Sequence, residues 1–444
     1  MIVGDGARSD DPALDELLKR AQAVHPLAID LSLDRLQGLL DRLGNPQRNL
    51  PPVFHIAGTN GKGSVGAFLR ATLEAAGHQV HVYSSPHLVR FNERIRLAGT
   101  LIDDASLAAL LTEVMAAAED MPTTFFELTT AVGFLAFSRT AADALILEVG
   151  LGGRLDATNV VEAPLVTGIS QISRDHERFL GTDILGIARE KAGIAKRGVP
   201  MVTARYPAAI AGQVAETAAI AGATLIPRGL DWDATFYRGA LHYRDKAGKL
   251  NIAAPRMAGA HQHDNAALAV AMLRHQSALA VGQAAYRAGP GWATWPARLQ
   301  VLADGPLVAR APAGATVWLD GGHNPAAARA LADFLRRTNK DGAPVHIVAG
   351  MVEGKDVRGF LKALTPRATS LYAVPVPGHQ TVPPETLVTL ADSVGLAAQV
   401  AVDVAAAIAA IARAADPDRP PLILICGSLY LAGDVLKANG PLPT

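Results

Sequence analysis

Two rhythms of apolar residues alternate along most of this chain: short unbroken apolar runs, and longer stretches where Leu, Ala or Val returns every three or four positions. Leu14, Leu17, Leu18 and Ala21, then Leu33, Leu36, Leu39, Leu40 and Leu43, have helical spacing, with Pro26 separating the two stretches. Asn45, Pro46, Pro51 and Pro52 end the second helix and lead into an apolar run opening with Val53 and Phe54. Val65, Phe68, Leu69, Thr72 and Leu73 predict the next helix, Gly77 its C-cap, and Gln79 to Tyr83 a strand. The spacing then predicts helices over 104–118 and 126–137, strands over 144–149 and 165–169, and a helix over 184–195. Residues 199–226 read as strand, helix and strand, and 236–254 as a small β hairpin. Met1 to Asp11 is polar and reads as a frayed end.

Past a stretch rich in Gly and Pro, Gly289 to Pro296, the alternation restarts. Strands are expected at 316–319, 345–349, 371–374, 399–402 and 422–426, separated by amphipathic helices such as 326–336. Strands alternating with helices at this spacing make parallel sheets with helices on both faces. The expected division is residues 1–296 and residues 297–444.

The chemistry concentrates where strands end. His55 to Ser64 reads H-I-A-G-T-N-G-K-G-S, with Gly58, Gly61 and Gly63 around Lys62 between a strand and a helix. Backbone N–H groups and the dipole at that helix start suit an anion, glycines let backbone approach phosphates, and Lys62 supplies a cation. The generic phosphate loop has four residues between its first Gly and the Gly-Lys pair. Here only Thr59 and Asn60 intervene, and Gly63 separates Lys62 from Ser64. Without a ligand the same pattern is a glycine-rich turn.

Glu148 ends the apolar strand that begins at Ala144, where a carboxylate suits Mg²⁺, a hard cation preferring oxygen ligands. The bland alternative is a glutamate capping a neighbouring loop. Gly150, Gly152 and Gly153 are too many for a simple turn and suggest backbone packed against a ligand. Ser84 to Arg96 is a polar loop past a strand end, where such sheets bind ligands. His176, between Asp175 and Glu177, reads as a ligand, a general base or a surface ion-pair partner. Lys191 taken alone is a solvated helix position. His261 and His263 have a metal-type spacing, but beside a helix start Asp264 or Asn265 reads better as an N-cap or a polar ligand contact.

Composition narrows the classes. Half of the 444 residues are hydrophobic and 18% are charged, enough to bury cores in more than one domain. Forty-one basic residues balance 41 acidic ones, so nothing global attracts nucleic acid or an anionic membrane. The single cysteine, Cys426, lies in an apolar run and reads as a small buried hydrophobe. No run approaches the ~20 apolar residues that cross a bilayer, and the opening residues lack a secretion-signal pattern. A cytoplasmic monomer is the expectation.

The motifs Gly58-Thr59-Asn60-Gly61-Lys62-Gly63-Ser64, Ser84-Ser85-Pro86-His87-Leu88, Phe125-Phe126-Glu127, Leu147 to Asn159, Arg189 to Ile194, Asp320-Gly321-Gly322-His323-Asn324-Pro325 and Gly427-Ser428-Leu429-Tyr430 stand in one order. That ordered set resembles the folylpolyglutamate synthase and dihydrofolate synthase family, relatives of the muramyl peptide ligases, over roughly Leu33 to Val435. The fold class is then α/β, a P-loop doubly wound N-terminal domain followed by a smaller Rossmann-like domain.

The resemblance implies ATP-dependent attachment of L-glutamate to dihydropteroate or a reduced folate through an acyl phosphate. Thr59, Asn60, Gly61, Lys62, Gly63 and Ser64 would cradle the ATP phosphates, with Asn265, Arg298 and Asp320 around the nucleotide. Ser85 and Glu148 would hold one Mg²⁺, and His176 with a carbamoylated Lys191 a second. Lys62, His176 and Lys191 carry the catalytic roles. Phe126, Glu127, Leu155, Asp156 and Ala157 would line the pteridine pocket, and His323 would bind substrate. Gly322 and Ala297 stand where the family often has alanine and glycine, and the stretch from Arg298 to Asp320 looks longer than usual. A muramyl-type ligase acting on a UDP-linked acid is the second reading, and a nucleotide-gated binding protein without chemistry the third.

Overall fold

The structure, a computed structural model, describes residues 7, 9–24 and 32–443. Pro26 and most of the polar N-terminal stretch lie outside the described residues. Two compact units divide the chain: residues 1–256 with 262–294, and residues 257–261 with 295–443.

The first unit is built on an 8-stranded sheet. Its strands are β1 (Val53–Ala57), β2 (Val80–Tyr83), β3 (Ile95–Leu97), β4 (Thr100–Leu101), β5 (Ala144–Glu148), β6 (Val166–Ile169), β7 (Pro200–Thr203) and β8 (Thr224–Pro227), in the order β4-β3-β2-β5-β1-β6-β7-β8. From β2 to β8 all pairings are parallel. Every residue of β1, β2, β5 and β6 is buried, as expected of parallel strands covered on both faces. The helices are α1 (Pro12–Val24), α2 (Asp34–Arg42), α3 (Lys62–Ala75), α4 (Asp104–Ala117), α5 (Phe125–Arg139), α6 (Glu177–Leu180), α7 (Ile184–Ala192), α8 (Ala208–Ala221), α9 (Ala260–Arg274) and α10 (Gln283–Trp292). Leucines of α1 and α2 close one core cluster with α4 and α5, while α7 and α8 cover another over β6 and β7.

Several sequence expectations change here. The 84–96 stretch does not stay loop: Ile95–Leu97 and Thr100–Leu101 form an antiparallel hairpin on the sheet edge, and Arg94 is fully buried. Burial is tolerated because Arg94 Nε donates to His87 Nδ1 at 3.0 Å and its guanidinium stacks on Phe91. The expected hairpin at 236–254 is a three-stranded sheet of β9 (Trp232–Tyr237), β10 (Ala240–Asp245) and β11 (Gly248–Ala253), pinned to α9 by the Arg274–Asp245 ion pair. Gly289 and Pro290 do not break the chain but lie inside α10, where a Cβ on Gly289 would stand 2.5 Å from Thr72 Cα. Glycine there lets α10 close on α3.

The second unit holds a 6-stranded sheet of β12 (Gln300–Val301), β13 (Thr316–Leu319), β14 (Val345–Ala349), β15 (Ser370–Ala373), β16 (Ala398–Val400) and β17 (Leu422–Cys426), ordered β12-β13-β17-β14-β15-β16. Only the short edge strand β12 is antiparallel. Helices α11 (Pro325–Thr338), α12 (Val357–Leu364), α13 (Pro384–Asp392) and α14 (Val404–Ala414) connect the strands, and α15 (Leu429–Asn439) follows β17. Cys426 ends β17 at 1% exposure, a buried hydrophobe as expected.

Candidate active site

The loop after β1 turns into α3 through Gly61, which caps the helix with φ of 89°. A Cβ there would also lie 2.5 Å from Asn265 Oδ1, so only glycine lets the loop and α9 approach this closely. Asn265 and Asp264 are not N-caps, because α9 begins at Ala260. Asn265 donates to Gln262 Oε1 at 3.0 Å, and Asp264 accepts from Arg228 at 2.6 Å. His263 stacks on Phe236 at 3.7 Å between centroids.

The segment just past β6 braces the loop's first half. Thr59 N–H donates to Gln171 O at 2.7 Å, Thr59 Oγ1 donates to Ser173 O at 2.8 Å, and Asn60 Nδ2 donates to Gln171 Oε1 at 3.0 Å. Ser170 Oγ donates to Asn60 O at 2.8 Å. These partners lie more than a hundred residues downstream and left no sequence signal beyond belonging to a strand end.

Two cations meet on one carbonyl. Lys62 Nζ donates to Gly58 O at 3.3 Å and Lys191 Nζ donates to the same oxygen at 3.0 Å. Lys191 is not a solvated helix residue; it is 4% exposed. Burial first, then the charge of Lys62, push its ammonium down to about 7, with Asp175 and Asp156 opposing. Its backbone is held by close approach, since a Cβ on Gly153 would stand 2.6 Å from Glu190 O and 2.9 Å from Lys191 O. Gly153 is therefore spaced for α7. Gly150 is likewise filled from within the protein, by Phe126, and Gly152 has φ of 71°. The three glycines answer to protein packing, where ligand contact was expected.

Glu148 sits at the C-terminal end of β5, opposite Ile56 of β1 and one position past the Tyr83–Leu147 pair with β2. Sheet register thus sets it between the phosphate-loop strand and the strand leading to Ser85. Its Oε1 is 4.0 Å from Lys62 Nζ. Ser64, in the first turn of α3, has a buried hydroxyl with no hydrogen-bond partner among the protein's described atoms. An orphaned buried hydroxyl costs stability unless something absent completes it. The Ser84–Arg94 loop is held by Glu93, whose carboxylate accepts from the N–H groups of Leu88, Val89 and Arg90. His176 is exposed at φ of 53°, ahead of the short α6, with its N–H donating to Asp175. No group of three or more His, Cys, Asp or Glu side chains gathers as a metal nest among the described residues. A divalent ion here would draw on serine hydroxyl, Glu148 and phosphate oxygens, which suits a hard cation.

On the expected pteridine side, Glu127 is committed inside the protein. Its Oε2 accepts from Thr124 N–H at 2.7 Å, Thr124 Oγ1 accepts from Glu127 N–H in return, and Arg35 donates to both carboxylate oxygens. That is a capping box at the start of α5, and the Thr-x-x-Glu spacing shows it in the sequence. Phe126 is half-buried beside Gly150. Asp156 is 3% exposed and accepts from Leu151 N–H, Thr158 N–H and Thr158 Oγ1; burial raises its pKa. Leu155 and Ala157 flank it.

In the second unit Asp320 closes β13. Its carboxylate accepts from Leu299 N–H at 2.8 Å and Gly322 N–H at 2.7 Å. Arg298 Nη1 donates to Ala297 O at 2.9 Å, and His323 Nδ1 donates to Gly321 O at 3.1 Å. Ala297 has φ of 53°, which gives the family's glycine at that position a physical reason. Asn324 caps α11 and Ser428 caps α15, so both helices begin beside the strand ends.

Residues 298–429 match the Mur ligase, glutamate ligase domain family. The dihydrofolate synthase/folylpolyglutamate synthase of Escherichia coli K12 is 34% identical over 444 aligned positions, covering 98% of each chain. A solved structure of E. coli FolC with DHPP and ADP superposes with a TM-score of 0.86 at 34% identity, covering 97% of this chain and 98% of that one. The Yersinia pestis bifunctional enzyme with AMPPNP and Mn ion gives 0.84 at 34% identity, over 97% and 98%. Likeness at this level over nearly the full length shows that the chain belongs to the folylpolyglutamate synthase/dihydrofolate synthase family.

Proposed function

We propose that this protein is an ATP-dependent amide ligase that joins L-glutamate to dihydropteroate, to the γ-carboxylate of a reduced folate, or to both. The observation that carries the reading is the convergence of Lys62 and Lys191 on Gly58 O beside Glu148, under a helix start whose Ser64 hydroxyl lacks a protein partner. A carboxylate is a poor electrophile. Its oxygen attacks the γ-phosphorus of ATP, ADP leaves, and an acyl phosphate forms. The glutamate amine then adds to the acyl carbon and loses a proton; the tetrahedral adduct collapses with release of inorganic phosphate. The first step brings two anions together, and Lys62 with the N–H groups of residues 59–64 offsets that repulsion.

Ser85 and Glu148 would hold Mg²⁺, and His176 with a carbamoylated Lys191 a second ion. When bound, such ions neutralise charge on the phosphates. Carbamoylation suits Lys191 because it replaces a like-charge contact with Lys62 by an opposite-charge one, and supplies the oxygen donors that a buried ammonium cannot. Intact-mass spectrometry in bicarbonate against degassed buffer tests it. Asn265, Arg298 and Asp320 serve the nucleotide. Phe126, Leu155, Asp156 and Ala157 line the pteridine pocket, Glu127 braces it through Arg35, and His323 binds substrate. Residues 1–296 carry the ATP and folate sites and 297–444 the glutamate-ligase part.

The names of the relatives favour a pteroyl acid over a UDP-linked one. The balanced charge supports work on small molecules, without nucleic acid or membrane, and the lone buried cysteine a reducing cytoplasm, with a monomer as the default state; among the described residues no helix is long and apolar enough to cross a membrane. The test is mass spectrometry of products from dihydropteroate or tetrahydrofolate with glutamate and MgATP, with UDP-muramyl substrates in parallel. A glutamyl adduct on the pteroyl acids alone is expected; turnover only with the UDP-linked acids refutes the reading.

A further inference from the structure

The strand that feeds the phosphate loop carries a histidine that the chemistry above does not use. His55 lies within β1 among Val53, Phe54, Ile56 and Ala57 and is fully buried. Its Nε2 stands 2.9 Å from Thr158 Oγ1, and Thr158 Oγ1 stands 2.5 Å from Asp156 Oδ1. A threonine hydroxyl has one proton. That proton is donated to Asp156 Oδ1, so Thr158 Oγ1 must accept from His55. The tautomer follows: His55 carries its proton on Nε2, and Nδ1 is a bare lone pair. Nδ1 has no hydrogen-bond partner among the described residues. Burial, helped by Lys196, pushes the imidazole down to about 3 and keeps it neutral. The result is a fixed donor chain running from His55 through Thr158 to Asp156. On the other oxygen, Asp156 Oδ2 accepts from Leu151 N–H at 2.8 Å, with the Gly150 amide adding to the same cradle.

An aliphatic or aromatic side chain would fill this position without leaving a buried nitrogen unpaired, so packing alone does not account for the imidazole. We propose that His55 is a positioning residue for the pteroyl acid: by fixing the Thr158 proton toward Asp156 it holds that carboxylate, and the Gly150–Ala157 loop around it, in the arrangement the pteridine meets. This rests on the reading that Asp156 and Ala157 line the pteridine pocket.

The experiment is steady-state kinetics of the full chain with dihydropteroate or tetrahydrofolate, glutamate and MgATP, with each variant's melting temperature measured alongside. His55→Phe keeps a ring and removes the donor; His55→Gln restores an N–H near the Nε2 position; Thr158→Val removes the relay and serves if His55→Phe does not fold. His55→Phe is expected to raise the pteroyl KM about tenfold while the ATP KM stays within about twofold. His55→Gln should recover most of that loss, and His55→Phe with Thr158→Val should be no worse than Thr158→Val alone. Pteroyl and ATP KM moving together, no recovery by glutamine, or additive losses in the double variant would overturn the relay. Asp156→Asn separates the two levels. If it leaves the pteroyl KM unchanged, the pocket reading falls and the relay with it; if it raises that KM while His55→Phe does not, the relay alone falls.

Discussion

Replacing Gly150 by alanine would place a methyl 2.4 Å from Phe126 Cζ and 3.0 Å from its Cε1 and Cε2. Carbon atoms rest at about 3.5 Å, so the ring edge must retreat by about 1 Å. Gly150 does not have positive φ, so the backbone accepts alanine and the effect is one of packing. Phe126 is half-buried and moves at its free end, which puts the stability cost near the low end of the about 1–3 kcal/mol typical of overpacking. Function should suffer more than stability. On the proposed placement of Phe126 in the pteridine pocket, a displacement of about 1 Å can cost up to about a hundredfold, and a tenfold rise in pteroyl KM corresponds to about 1.4 kcal/mol. The assay is the KM for dihydropteroate or tetrahydrofolate and for ATP in Gly150→Ala, with thermal unfolding beside it. Adding Phe126→Leu should restore the melting temperature, because leucine leaves the methyl its room, without restoring the KM. A folded Gly150→Ala enzyme with wild-type pteroyl KM would refute the assignment of Phe126 to that pocket.

Gly61→Ala should raise the ATP KM at least about tenfold and lower the melting temperature, since φ of 89° costs alanine about 1–2 kcal/mol and its methyl meets Asn265. Ala297→Gly should stabilise by about 0.5 kcal/mol by denaturant unfolding, the relief of a left-handed alanine less the added freedom of the unfolded chain. On the acid side, His55 takes a proton in the unfolded chain below 6.5 but only near 3 when folded. Stability should therefore fall as pH drops from 6.5 toward 3, by up to about 1.4 kcal/mol per unit, and His55→Gln should flatten that limb of the unfolding curve. Burial and the nearby Asp320 charge hold the Cys426 thiol above its ordinary range, so iodoacetamide at mild alkaline pH should label it in urea but not in the native protein.

The strand–loop–helix at His55 to Leu73 was legible because three local signals coincide there: an apolar run, glycines around a lysine, and a 3.6-residue period. The second sheet was legible from alternation alone. What the sequence hides is what fills the space beside a glycine. Gly150, Gly153 and Gly289 read alike in one dimension, yet their missing methyls leave room for a ring, for the backbone of α7 and for Thr72 of α3. Partners far along the chain are hidden as well. Glu127 reaches Arg35 and His55 reaches Thr158 only once parallel strands and their covering helices bring them together, and periodicity carries no register between them. The β3–β4 hairpin was missed because its strands are only three and two residues long, too short to show an alternation, as edge strands often are.

The segment from Glu148 to Asn159 does more than link a strand to the next turn. Its first residue faces Lys62, Gly150 backs Phe126, Gly153 admits α7, and Asp156 gathers the amides of Leu151 and Thr158. Arg154 N–H donates to Glu190 O at 2.8 Å, and Asn159 Nδ2 donates to Arg154 O and Gly193 O, so the middle and the far end of the loop clasp the helix that bears Lys191. A Cβ on Gly193 would stand 2.4 Å from Arg154 Cβ, which shows how tightly that clasp is drawn. A loop bonded at once to the lysine helix and the acidic strand end would, on the proposed placement of the pteridine pocket, set the spacing between phosphate and acceptor carboxylate. Chemistry that needs the reacting atoms held to within a fraction of an ångström gains from such a frame. The loop's glycines serve that frame by admitting the ring of Phe126 and the backbone of α7.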